Sequence, residues 1–131
     1  MISLKRTREM YSVGGSLESN DCAVRSAAVA CAVTYDTAHA AFKSHGREDR
    51  RGTKLPTVTA ALRELTGDGD LRMTRMNYRC TLGRFYEGKR DGFYVVWVAH
   101  HLIALVDGVV HDWGTSTSGA RRIVKGYWRL A

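Results

Sequence analysis

Several features that define particular classes of protein are missing from this sequence. The longest apolar stretch, Phe93 to Ala99, is far below the roughly 18 residues that a membrane-spanning helix needs. Three cysteines form no CxxC pair, so neither a zinc ribbon nor a thioredoxin-like redox site is expected. Residues 1–4 run directly into Lys5 and Arg6, which predicts no secretory signal. We therefore expect a cytoplasmic protein without a membrane anchor, whose thiols are reduced.

The composition of what remains is that of an ordinary globular protein. The chain has 131 residues, of which 44% are hydrophobic and 25% are charged. That length fits one domain spanning 1–131, with residues 1–15 forming a flexible segment or a strand. The net charge is +7, and it is spread over the chain, with its densest cluster in the loop Arg47–Lys54.

Helix signals fill the first two thirds of the chain, and strand signals dominate the last third. Four helices are expected: Cys22–Val33 after an N-cap at Ser19 or Asn20, Thr37–Ser44 capped by Asp36, Pro56 to about Gly67, and a short helix that Thr81 caps and that ends by Gly88. The strands are expected over Leu71–Tyr78, Phe93–Val98, Leu102–Val106, Val109–Trp113 and Arg122–Leu130. This order predicts an α+β fold in which N-terminal helices pack on a C-terminal antiparallel sheet.

An Asp107-Gly108 pair between two apolar runs predicts a tight hairpin and fixes its register. Val106 then lies opposite Val109, so that His101 and Asp112 become diagonal neighbours on one face, about 7 Å apart. His100 and His111 share the other face but lie about 13 Å apart, which is too far for a common zinc ion. The alternative is that His101 and Asp112 are polar residues on a solvated face.

Cys22 falls in the first turn of the main predicted helix, where unpaired N–H groups favour a thiolate. Cys31 lies further along among alanine and valine and is expected to act as a small core residue. Cys80 follows Arg79, and the sequence predicts no pair of histidine and carboxylate near it. For Cys22 the combination matches a catalytic triad: the cysteine at the helix start is the nucleophile, the histidine is the base, and the neighbouring Asp orients the histidine. The alternative is a buried helix-start cysteine without a role.

The stretches Asn20–Ala27 and His101–Trp113 resemble the papain-like cysteine hydrolase superfamily. The closest likeness is to small single-domain members, which include bacteriocin leader-processing peptidases and phage-encoded proteins. The order Cys, His, Asp, with spacings of 79 and 11 residues, suits a minimal member. The resemblance covers about residues 16–114 and implies a papain-like domain, encoded by a phage and acting in the cytoplasm of a bacterial host.

The resemblance also implies a role for each matching residue. Cys22 is the nucleophile, His101 the general base and acid, and Asp112 the group that orients His101. Family members usually place a glutamine before the cysteine as an oxyanion donor, but this chain has no glutamine. Asn20 is the nearest amide that can take its place. The implied activity is that of a peptidase or amidase with a peptide or protein substrate, and it needs no metal or organic cofactor.

Two other functions stay open. The missing glutamine and the basic surface fit a papain-like scaffold with weak or no catalysis that binds and inhibits a host protein. Nucleic acid is the third and least favoured partner, because no helix-turn-helix, zinc-finger or aromatic RNA-binding motif is present. The simplest interpretation of the +7 charge is a solvated basic surface. Trp97, Trp113 and Trp128 are interpreted as packing residues.

Overall fold

A computed structural model describes residues 3–5, 22–48, 53–89, 91–98, 101–111 and 122–130. Its helices are α1 (Cys22–Ala30), α2 (Tyr35–Ser44), α3 (Leu55–Thr66) and α4 (Leu82–Gly88). Its strands are β1 (Ser3–Lys5), β2 (Thr74–Arg75), β3 (Phe93–Val98), β4 (His101–Val106), β5 (Val109–His111) and β6 (Val124–Arg129). The predicted α+β class is confirmed.

The six strands form one sheet in the order β1-β5-β4-β3-β6-β2. All neighbouring strands are antiparallel except β1, which pairs in parallel with β5. The antiparallel sheet expected from the last third of the chain is therefore extended by one parallel strand from its beginning. That strand fits the strand-forming alternative for residues 1–15.

The hairpin between β4 and β5 has the predicted register. Val106 pairs with Val109 and Leu105 with Val110. Asp107 and Gly108 have φ values of 45° and 81°, which is the backbone that a two-residue turn of this hand requires. The Asp107 side chain also accepts a hydrogen bond from the Gly92 N–H at 3.0 Å. Asp112 lies outside the described residues, so its predicted place beside His101 stays a prediction.

Helix α2 begins earlier than predicted, because Thr34 and not Asp36 is its N-cap. Thr34 has extended backbone angles, and its Oγ1 accepts a hydrogen bond from the Thr37 N–H at 3.2 Å. Asp36 lies in the first turn, where its charge complements the helix dipole. The other predicted cap is confirmed: the Thr81 hydroxyl accepts a hydrogen bond from the Arg84 N–H. The proposed caps Ser19 and Asn20 of α1 lie outside the described residues.

The predicted strand 71–78 shrinks to two residues. Thr74 pairs with Tyr127 and Arg75 with Gly126. β2 is the edge of the sheet, so the segment gains a strand neighbour on one side only. Alternation of residue types alone did not indicate how short this edge pairing would be.

The sheet separates two hydrophobic cores. The first lies between the sheet and helices α1, α2 and α3, and it includes Leu102, Ala104 and Trp128 from the sheet. The second lies on the opposite face beneath α4, and it includes Ile103, Leu105 and Phe85. Alanines dominate the buried side of α1, and small side chains allow that helix to pack closely on β4.

Candidate functional site

Cys22 is the first residue of α1, as predicted. It is partly exposed and is not in a disulfide. The buried Ser26 side chain donates a hydrogen bond from its hydroxyl to the Cys22 carbonyl at 2.7 Å. This bond holds the first turn of the helix, so the thiol starts from a fixed backbone position.

His101 is the first residue of β4, and it pairs with Val98, the last residue of β3. It therefore lies at the end of the sheet where the β3–β4 hairpin closes. Helix α1 packs directly on β4, which brings two segments 79 residues apart in the sequence into proximity.

Cys22 and His101 line the same cavity, which has a volume of about 330 Å³. Its wall is completed by Ala23, Thr53, Lys54, Leu55, Trp97 and Leu102. The structure thus brings together two of the three predicted catalytic residues at the rim between α1, the start of α3 and the end of the sheet. The third, Asp112, and the predicted oxyanion residue Asn20 lie outside the described residues.

Strand alternation bears on how His101 contributes to this cavity. Leu102 and Ala104 belong to the core beneath the helices, whereas Ile103 and Leu105 belong to the core on the opposite face. His101 shares the parity of Ile103. Because it is the first residue of β4, it lines the cavity from the end of the strand and not from the middle of the helix-covered face.

The surroundings of the cavity are cationic. Lys54 lines it directly. The Arg75 guanidinium lies 5.4 Å and the Lys125 ammonium 5.7 Å from the centre of the Trp97 ring, which is within range for cation–π attraction. No carboxylate belongs to the cavity wall as far as the described residues define it. Such a field attracts a negatively charged group of a ligand to the cavity.

Thr53, Lys54 and Trp97 are the parts of the site that sequence reasoning missed. Residues 53 and 54 appeared only as the end of a basic loop, and Trp97 as a packing residue. The Thr53 hydroxyl is buried and has no hydrogen-bond partner among the described residues. Thr53 and Lys54 precede α3 and Trp97 lies in β3, so only tertiary packing brings them to the cavity that Cys22 lines.

The other two cysteines have different surroundings. Burial raises the pKa of the Cys31 thiol to about 12, so it stays protonated near neutral pH. Cys31 packs against the first core, which agrees with its predicted role. Cys80 is only 2% exposed, and its thiol donates to the Thr81 carbonyl at 3.5 Å. Cys22, in contrast, is partly exposed and lines a cavity together with His101.

In comparisons with known proteins, no family model, curated protein or solved structure matches the chain. Within the described ranges, no three His, Cys, Asp or Glu side chains are grouped so that they could hold a metal ion. None of the helices described is long and apolar enough to cross a membrane.

Proposed function

We propose that the protein is a thiol hydrolase of papain-like type that cleaves a peptide or amide bond. The observation that carries the proposal is that Cys22 and His101 line one cavity although they are far apart in the sequence. Support also comes from Cys22 being the first residue of α1, since the free N–H groups of a helix start favour the nucleophilic thiolate.

In the proposed reaction, the Cys22 thiolate adds to the carbonyl carbon of the substrate. The Cys22 N–H and the Asn20 amide hold the resulting oxyanion. His101, oriented by Asp112, gives its proton to the leaving amine, and the C–N bond breaks to leave a thioester. Water then attacks the thioester while His101 takes a proton from it, and the C–S bond breaks, which releases the carboxylic acid and restores the Cys22 thiolate.

The charges around the cavity favour a substrate with acidic residues close to the cleaved bond. Lys54 lines the cavity, and Arg75 and Lys125 flank the Trp97 ring in its wall. Opposite charges accelerate encounter and fix the orientation of a bound chain. A preference for acidic peptides, lost at high salt, is therefore expected of the enzyme.

The first test measures thiol reactivity, because it requires no knowledge of the substrate. Iodoacetamide is added between pH 6 and 8, and mass spectrometry follows modification of each cysteine. Cys22 is expected to react at least about tenfold faster than in the urea-unfolded chain, where no histidine is held near its thiol. His101→Ala is expected to remove this advantage, with His100→Ala as the matched control. Equal rates in folded and unfolded protein would contradict an activated nucleophile.

The second test measures turnover on a library of fluorogenic peptide amides containing acidic residues. Cys22→Ala is expected to abolish cleavage while the circular dichroism spectrum stays unchanged, and Cys31→Ala is the control thiol variant. If Cys22 is not activated and no library member is cleaved, the alternative gains: a papain-like scaffold that binds and inhibits a host protein. The absence of glutamine from the chain is the observation that keeps this alternative in view.

A further inference from the structure

A second cavity, of about 430 Å³, lies on the other face of the sheet beside α4. Its wall is formed by Thr74, Arg75, Met76, Asn77, Tyr78, Cys80, Arg84, Phe85, Gly88, Lys89 and Tyr127. We call it the α4 cavity. Its volume falls in the range of small-molecule sites, and it has no residue in common with the cavity at Cys22.

The α4 cavity is built to attract an anion. Among the described residues in its wall there is no Asp or Glu, while three basic residues, Arg75, Arg84 and Lys89, line it. The segment 72–89 that supplies most of the wall has five basic residues and one acidic residue, Glu87. The Lys89 ammonium lies 5.7 Å from the Phe85 ring and 5.8 Å from the Tyr127 ring, so this charge is held against the aromatic wall.

The same cavity presents an aromatic surface to solvent. Tyr78 is 64% exposed, and it is the one large hydrophobic residue among those described that is so open. Behind it, Phe85 and Tyr127 pack with ring centres 5.1 Å apart. An exposed aromatic side chain beside fixed cations is the arrangement with which proteins bind unpaired nucleotides, since bases stack on the ring and phosphates meet the cations. The exposed Asn77 adds an amide that can pair with a base edge.

We propose that the α4 cavity binds a nucleotide, either free or as an unpaired residue of a single-stranded nucleic acid. The chemistry that it recognises is a planar base joined to a phosphate. This site is separate from the proposed thiol chemistry, so it does not depend on Cys22.

The test is fluorescence polarisation with a labelled 12-residue oligothymidylate at about 50 mM salt, with AMP as competitor. Binding is expected to weaken as salt increases. Tyr78→Ala is expected to weaken it about tenfold or more, because stacking is lost, and Tyr78→Phe is expected to restore it. Since Tyr78 is exposed, neither variant is expected to unfold the protein. Lys89→Gln and Arg84→Gln are each expected to reduce the salt dependence by about one phosphate contact.

The controls separate this cavity from the general positive charge. Lys43→Gln removes the same charge from the exposed side of α2, in the helix layer, and is expected to leave affinity unchanged. Cys22→Ala is expected to bind normally. Competition by AMP indicates a free nucleotide, and binding of the oligonucleotide without such competition indicates a single strand. The proposal is overturned if neither probe binds, if Tyr78→Ala binds as well as the original chain, or if only a labelled poly-glutamate peptide binds.

Discussion

The two faces of the sheet are covered in different ways, and the difference predicts what each can do. Three helices cover one face, so that its core is continuous and opens to solvent at the rim beside Cys22. One seven-residue helix, α4, covers part of the other face and leaves a wider cavity beside it. A complete layer can hold a reactive group in a fixed position, whereas a partial layer leaves side chains open for binding.

Charge follows the same division. On the helix-covered side, the charged groups of Lys125 and of Arg75, a residue that also lines the α4 cavity, lie over the Trp97 ring. On the α4 side, Lys89 lies against Phe85 and Tyr127, and Arg129 lies 5.8 Å from the Tyr94 ring. Aromatic rings therefore hold cations on both faces, and the basic composition is organised by the sheet more than its scattered sequence positions suggest.

The largest effect on stability is expected at Trp128, in the core beneath the three helices. Its side chain is fully buried, and its Nε1–H donates to the Thr59 hydroxyl at 3.0 Å. Trp128→Ala is expected to lower the free energy of unfolding by about 3–5 kcal/mol, because it leaves a large cavity. Trp128→Phe keeps most of the packing and is expected to lose about 1–2 kcal/mol with the hydrogen bond. Urea denaturation measures both.

A matched substitution on the other face sharpens the comparison. Phe85 is a buried residue of α4, and it lines the open cavity beside that helix. Because its surroundings can relax into that cavity, Phe85→Ala is expected to cost less than Trp128→Ala. An equal or larger loss at Phe85 would contradict the view that the α4 side is the looser layer.

An intermediate effect is expected from Cys31 at alkaline pH. Its folded-state pKa is raised to about 12 from 9.0, so above pH 9 the unfolded chain ionises this thiol while the folded chain does not. The associated stability is fully present below pH 9 and is lost as pH rises, by up to about 1.4 kcal/mol per pH unit. Cys31→Ala is expected to show a smaller fall in unfolding free energy between pH 8 and 10. Identical pH slopes for the two proteins would refute this contribution.

The smallest effect on stability is expected at Asp107, in the turn between β4 and β5. Asp107 has a positive φ, and its carboxylate accepts the Gly92 N–H. Asp107→Asn keeps the acceptor and tolerates this backbone, so its unfolding free energy is expected to change by less than about 0.5 kcal/mol. Asp107→Ala loses both advantages and is expected to cost about 1–2 kcal/mol. A larger loss in the Asn variant would show that the negative charge itself stabilises the turn.

Local signals account for the parts of the fold that were predicted well. The Asp107-Gly108 turn and the Thr81 cap depend on residues a few positions apart, and both were correct. The Thr34 cap was missed because Asp36, two residues later, is an equally good capping type. The strand at residues 71–78 was predicted too long because its length depends on β6, which lies about 50 residues away.

The two cavities also differ in how far the sequence alone predicts their residues. Cys22 was selected from the sequence because a helix start is a local feature, and the structure brings it to a cavity with His101. No local signal marks Tyr78 and Lys89 as neighbours, because they lie eleven positions apart and no single strand or helix aligns them. Their proximity arises where α4 and the segment after β2 meet on β6.

The short strands at the borders of the sheet have a consequence for the behaviour of the protein in concentrated solution. β2 has two residues and pairs with the longer strand β6. β1 has three residues and pairs with the more apolar strand β5. Exposed strand edges invite pairing between copies of a chain, and very short outer strands limit that pairing. Deleting residues 3–5 uncovers the backbone of β5, whose Val109-Val110 sequence is apolar. A protein trimmed at this point is therefore expected to self-associate and precipitate before it loses its fold.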